Sequence, residues 1–121
     1  MRILVTGSRT WEDPSVIHDA LLEAAEDSTD SDPIVLVHGT ADGADMMAEG
    51  IALGFGWQVE RHPADWSQHG RRAGYVRNAE MVATNPDVCL AFIRDHSRGA
   101  SMCADLASKK GIPLRIWTEL T

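Results

Sequence analysis

The sequence predicts an α/β protein, a three-layer α/β/α sandwich built on a five-stranded parallel sheet with helices on both faces. Three observations predict it. Short apolar runs recur five times along the chain: RILVT, IVLV, WQVER, VCLAFI and, near the end, IPLRIW. Between them stand segments whose apolar residues fall at helical spacing. The connections are short, and strands that alternate with helices over short connections form right-handed crossovers and therefore a parallel sheet.

A chain of 121 residues has room for a real core, so residues 1–121 are expected to form one domain. The composition, 44% apolar and 24% charged, is that of a globular chain rather than a disordered one. No apolar run approaches the ~20 residues of a membrane span. The N-terminus enters Arg2-Ile3-Leu4-Val5 directly, without a signal-peptide pattern. Cys89 falls in an expected strand and Cys103 in an expected helix, which suits reduced thiols in a cytoplasm better than a disulfide framework.

The elements follow in order. Arg2–Thr6 is a short apolar strand. Asp13-Pro14 opens the first helix, Asp as cap and Pro in the first helical position. Val16, Ile17, Ala20, Leu21 and Ala24 give it one apolar face; its outer side is acidic. Asp27–Asp32 is a polar loop without sign of chemistry. Ile34–Val37 is the second strand. Asp42 and Asp45 have the spacing of a capping pair at the start of the second helix, which Gly54–Gly56 ends. Trp57–Arg61 is the third strand and Ser67–Gly70 a loop. Arg71–Thr84 is the third helix, stopped by Asn85-Pro86. Val88–Ile93 is an unbroken apolar run, as a strand covered on both faces requires. Arg94–Gly99 is a loop, and the Ala-rich fourth helix after it closes on Lys109-Lys110-Gly111, cations in the last turn and Gly beyond. Ile112–Trp117 contains the fifth strand.

In such sheets ligands lie beyond the carboxyl ends of the strands, where strand order reverses. Four loops leave those ends: Gly7–Trp11, His38–Asp45, His62–Trp66 and Arg94–Ala100. All are rich in Gly, Ser, Thr, Arg, His and Asp. Gly7-Ser8-Arg9 offers close backbone approach, a hydroxyl donor and a guanidinium suited to phosphate, or else an ordinary turn. It is neither GxGxxG nor a Walker A. Asp42 and Asp45 either cap the second helix or reach a ligand, where a carboxylate holds a ribose hydroxyl. Trp11 and Trp66 either stack on a base or pack over the mouth of the site. A strand, a Gly-bearing loop and a helix start over Val88–Ala107 make an anion site from backbone alone. His38, His62 and His96 lie at strand ends, but no tight ligand spacing points to a metal, and no cofactor is implied.

The net charge is -7, and it is uneven. Residues 1–60 carry 12 acids and 2 bases, net -10; residues 61–121 carry 6 acids and 9 bases, net +3. The acidic balance argues against general nucleic-acid binding. The second half supplies most candidate phosphate partners: Arg71, Arg72, Arg77, Arg94 and Arg98.

Taken together, VTGSRTW, VHGTADGADMMAE, RHPADW, AGYVRNAEM, PDVCLAF, SRGASMCADLA and GIPLRIW resemble the YspA/YpsA-related branch of the SLOG superfamily over nearly the whole chain. The resemblance implies a Rossmann-like fold, a nucleotide or nucleotide-derived ligand and an origin in actinobacteria or their phages. The superfamily takes in the Smf/DprA DNA-processing proteins and the LOG phosphoribohydrolases. Arg77-Asn78-Ala79-Glu80-Met81 is similar to the LOG Arg-Lys-x-x-Met helix. The LOG phosphate loop Pro-Gly-Gly-x-Gly-Thr is represented only by Gly99-Ala100, and Cys103 stands where the LOG catalytic Glu falls.

The expected function is therefore binding of an ADP-ribose-like ligand or a nucleoside phosphate, as a sensor or sequestering module. The expected pocket takes in Gly7, Ser8, Arg9, Trp11, Gly39, Thr40, Asp42, Gly43, Asp45, Asp65, Arg77, Asn78, Arg94, Ser97, Gly99 and Ser101. The alternative is a LOG-like nucleotide N-glycosidase with Arg77 at its centre and Glu80, Asp42 or Asp45 replacing the missing Glu; a DNA-processing accessory comes third. SLOG enzymes commonly dimerise, so the resemblance also implies a homo-oligomer, with Tyr75 and Val82 on the third helix either at its interface or packed on the sheet.

Overall fold

The computed structural model describes residues 1–28 and 33–120. The expected polar loop lies, from Thr29 to Asp32, outside the described residues. Five strands, β1 (Arg2–Gly7), β2 (Val35–His38), β3 (Gln58–Arg61), β4 (Val88–Arg94) and β5 (Leu114–Glu119), form one sheet in the order β3-β2-β1-β4-β5. Every pairing is parallel. The helices are α1 (Pro14–Glu26), α2 (Ala44–Gly54), the single turn α3 (Trp66–His69), α4 (Ala73–Ala83) and α5 (Arg98–Lys109).

Alternation along the strands divides the core in two. Ile3, Val5, Leu36, Val88, Leu90 and Phe92 face one way and pack with Ile17, Leu21, Ala44, Ala48 and Ala52 of α1 and α2. Leu4, Val37 and Cys89 face the other and pack with Met81, Val82, Cys103 and Ala107 of α4 and α5. Burying each large side chain of this set contributes ~1.5–3 kcal/mol. The sheet is thus covered on both faces, in three layers. No helix is long and apolar enough to cross a membrane among the described residues.

Local chemistry sets most boundaries as expected. Asp13 caps α1 through Ser15 N–H, with Pro14 at its start. Gly111, at φ +88°, follows α5. Other boundaries differ. The residue before α2 is Gly43, at φ +78°, and no side chain caps that helix; Asp42 is exposed and does not act as its cap. The expected loop Ser67–Gly70 is largely helical, because Asp65 caps Trp66–His69 by accepting from Gln68 N–H at 3.1 Å. A 3-10 turn over Gly70–Arg72 then delays α4 to Ala73. Val82 is buried against the sheet, so of the expected interface pair only Tyr75, 46% exposed, is left outside.

Strand order reverses between β1 and β4. The chain leaves β1 toward β2 and β3, then returns across to β4 on the other side of β1. The loops after β1 and β4 therefore run to opposite faces and leave a crevice between them.

Candidate functional site

A cavity of about 390 Å³ occupies that crevice. The end of β1 and its loop supply Thr6, Gly7, Ser8, Arg9 and Thr10; the β2–α2 connection supplies Ala41 and Asp45. From the other face come Trp66 of α3, Gly74, Arg77, Asn78 and Met81 of α4, and Ser97, Gly99, Ala100 and Met102 at the start of α5.

Glycine lets the two loops of the first face interlock. A Cβ on Gly7 would stand 2.3 Å from the Ala44 methyl, and one on Gly43 2.4–2.5 Å from the carbonyl oxygens of Arg9 and Ser8. Ala44 N–H donates to that Ser8 oxygen at 3.2 Å. These two glycines thus serve loop-on-loop packing. Ser8 is buried and its hydroxyl is engaged: it accepts from Arg94 N–H at 2.7 Å and donates to Arg94 O at 3.3 Å. Arg9 reaches the cavity with an exposed side chain.

Asp45 is the acidic residue of the lining and is 4% exposed. Its Oδ2 accepts from Gly39 N–H at 3.1 Å and Ala41 N–H at 3.3 Å, while its Oδ1 is buried with no partner. Burial pushes its pKa up to about 6, against the opposing pull of the Ala41 N–H, the Arg77 charge and the Gly39 and Gly7 N–H groups. Arg77 is half-buried and held at two points: Nε donates to Asn78 Oδ1 at 2.8 Å and Nη1 to Gly39 O at 2.5 Å. Gly39 is needed for this, since a Cβ there would meet the guanidinium at 2.5 Å. The far side of Arg77 borders a smaller cavity of about 160 Å³ with Asp65, His69 and Glu80.

The start of α5 is open. Asp95 and His96 both take the left-handed region, at φ +50° and +58°, and Ser97 N–H closes the turn on Arg94 O at 3.2 Å. Two non-glycine residues in that region mark a shape imposed by the surroundings. The turn delivers Ser97 as the residue before α5, and no side chain bonds back to the first N–H groups of the helix. Gly99 carries no side chain into the cavity, so the free N–H groups and the positive end of the helix dipole act there directly.

The fold thus brings Gly7, Ser8, Arg9, Asp45, Arg77, Asn78, Ser97 and Gly99 to one cavity. Gly39 lies just behind it, under Arg77, and Gly43 behind it, under the Gly7–Arg9 loop. Thr40, at φ +64°, gives its N–H to His38 Nδ1. Other expected residues stand elsewhere. Trp11 is 3% exposed, edge-on to Phe92 at 5.5 Å, with Nε1 donating to Asp13 O, and is core rather than stacking surface. The parallel register sets Arg94 opposite Glu119, and its guanidinium pairs with that carboxylate and with Glu12 and Asp95. Asp42, Asp65 and Ser101 do not line the cavity, and Glu80 borders the smaller one. Cys103, in the place of the LOG glutamate, is fully buried, and burial pushes its thiol up to about 11. Eight lining residues fall outside the expected set, among them Trp66, 54% exposed, and Met102. The indole of Trp66 was visible in sequence as one of two loop tryptophans; only the packing of Trp11 distinguishes them. Among the described residues no group of three His, Cys, Asp or Glu is arranged to hold a metal.

Comparison with known proteins gives three results. The model of the "YspA, cpYpsA-related SLOG family" matches residues 1–69. The gene 61 protein of Mycobacterium phage D29 is 45% identical over 118 residues, covering 93% of each chain. No solved structure matches the chain.

Proposed function

The chain belongs to the YspA, cpYpsA-related SLOG family, and we propose that it binds a nucleotide or nucleotide-derived ligand in the cavity between β1 and β4. The observation that carries this reading is the uncapped start of α5 opening onto the cavity that Arg9, Arg77 and the exposed Trp66 also line. An uncapped helix start holds phosphate through backbone N–H groups and dipole. Arg9 adds a mobile cation, and the unused Nη2 of Arg77 adds a fixed one. Trp66 offers a flat apolar face to a base, as stacking platforms do. The ligand class is a nucleoside phosphate or an ADP-ribose-like compound, and the module senses or sequesters it in a bacterial cytoplasm or in that of a phage-infected host. Calorimetry with AMP, ADP-ribose and NAD tests the reading. Saturable binding that Arg9→Ala weakens ~10-fold supports it, the loss expected for one charge-assisted contact. No heat from any of the three with folded protein overturns it.

One observation favours a second reading, cleavage of the N-glycosidic bond. Asp45 is a cavity carboxylate with its pKa raised to about 6, and a carboxylate stabilises the cationic, ribosyl-like transition state of that reaction. Release of adenine and ribose 5-phosphate from AMP, abolished in Arg77→Ala, is the expected result; no product at high protein concentration sinks it. Self-association through the exposed Tyr75 is a further proposal, removed if light scattering finds a monomer.

A further inference from the structure

We infer that Asp45 selects the sugar of the ligand, its unpaired carboxylate oxygen accepting a ribose hydroxyl while the phosphate lies at the start of α5. The inference deepens the nucleotide-binding reading and rests on it.

Oδ2 of Asp45 is committed to the protein, holding Gly39 N–H and Ala41 N–H. These bonds fix the carboxylate in the first turn of α2, where the helix dipole favours negative charge. Oδ1 is left buried without a hydrogen-bond partner, although the Gly7 N–H also pulls on the carboxylate. Buried acceptors without a partner are rare in native proteins because each forfeits the hydration it had in the unfolded chain. Here the orphan belongs to a residue that lines the cavity between β1 and β4, and burial already drives its pKa to about 6. A donor arriving with the ligand removes that penalty.

The surroundings narrow the donor. A phosphate is repelled by the carboxylate itself. A cationic group is repelled by Arg77, whose charge Asp45 already feels. A neutral hydroxyl fits both: it donates to Oδ1 and keeps an acceptor lone pair for the free guanidinium N–H groups of Arg77. The uncapped start of α5, on the opposite wall, remains for the phosphate. A phosphorylated ribose carries both groups in one small molecule. A hydroxyl donor favours the ionised carboxylate, so ligand binding lowers the pKa of Asp45 and releases a proton near pH 6.

The test is calorimetric titration of the wild type and Asp45→Asn with AMP, 2′-deoxy-AMP and 3′-deoxy-AMP at pH 7.5. In the variant the amide oxygen can keep the Gly39 and Ala41 N–H groups, which turns a donor rather than an acceptor toward the cavity. The wild type is expected to bind one deoxy analogue ~10-fold or more weakly than AMP, as sites built around a hydroxyl do. Asp45→Asn is expected to lose that discrimination, binding AMP and the analogue within ~2-fold. A second measurement needs no variant. The AMP-to-analogue affinity ratio of the wild type should collapse between pH 7.5 and 5, and the shared phosphate cancels in the ratio. A wild type that binds all three alike, a variant that keeps the discrimination, or a ratio flat with pH overturns the role of Asp45 while leaving nucleotide binding intact. No binding of any probe by folded wild type overturns the nucleotide reading, and this inference with it.

Discussion

Asp45 and Glu49 sit one turn apart on α2 and are about equally buried, 4% and 7% exposed, yet they lie in opposite electrostatic situations. Glu49 is paired with two side chains of basic residues. His38 Nε2 lies 3.0 Å from its Oε1 and Arg61 Nε 2.5 Å from the same oxygen, and these contacts, Arg61 first, hold its pKa below the usual range. His38 is complete as a neutral ring: Nδ1 accepts from Thr40 N–H at 3.0 Å, and Nε2 is left to donate to Glu49. Burial pushes the pKa of His38 down and keeps it so. Asp45 has no basic side chain bonded to it, one oxygen buried without a hydrogen-bond partner, and a raised pKa. Burial alone therefore does not separate a structural acid from a site acid. Basic side chains at the carboxylate mark the first, and a buried oxygen without a hydrogen-bond partner, on a residue that lines a cavity, marks the second.

The sharpest way to break this contrast is Glu49→Ala. It strands His38 and removes the Arg61 pair, and chemical denaturation should show a loss of about 2–3 kcal/mol, less than the ~3–5 kcal/mol for breaking a fully buried pair because Arg61 is 56% exposed. A loss below ~0.5 kcal/mol would mean the cluster is ornamental. Asp45→Asn should act in the opposite direction, raising stability by about 1 kcal/mol at pH 8, since a neutral amide costs less to bury than an ionised carboxylate. The gain should vanish by pH 4. A folded pKa raised above the unfolded one gives stability that is full below the unfolded value and is lost as pH rises through about 6. For Glu49, with its lowered pKa, the sign reverses, and its contribution is lost as pH falls. Parallel stability–pH curves for wild type and Asp45→Asn from pH 4 to 8 would assign Asp45 an ordinary pKa. The smallest effect belongs to Arg61→Ala, a slight loss reduced further by salt, as for other exposed ion pairs. A larger, salt-independent loss would show that the Arg61–Glu49 pair behaves as a buried one despite the exposure of Arg61.

The sheet, its order of elements and its polar edge were legible because apolar runs and helix stops are local signals. Asp13-Pro14, Asn85-Pro86 and Lys109-Lys110-Gly111 each act within a few residues. The start of α5 as an open helix end was legible for the same reason, through the Gly99 that follows the strand. What sequence could not reveal is where a side chain spends its hydrogen bonds. Arg94 looked like a phosphate partner and is claimed by Glu119, through a strand register not written locally. Ser8 looked like a donor and is consumed by the backbone of β4. Trp11 and Trp66 were equal candidates until the T-shaped contact with Phe92 took one into the core. Asp42 and Asp45 differ by three positions in sequence and by the whole depth of the protein surface. Each difference is tertiary, set by what packs from elsewhere in the chain.

The interlock of Gly7 with Ala44 has an evolutionary consequence. Only 2.3 Å separates the Ala44 methyl from the place where a side chain at position 7 would begin. The two positions share one methyl's worth of space, so position 7 cannot gain a side chain while position 44 keeps its own. A lineage that gains a side chain at position 7 must first give up the one at position 44. Among relatives, a side chain at position 7 should therefore appear only where position 44 is glycine.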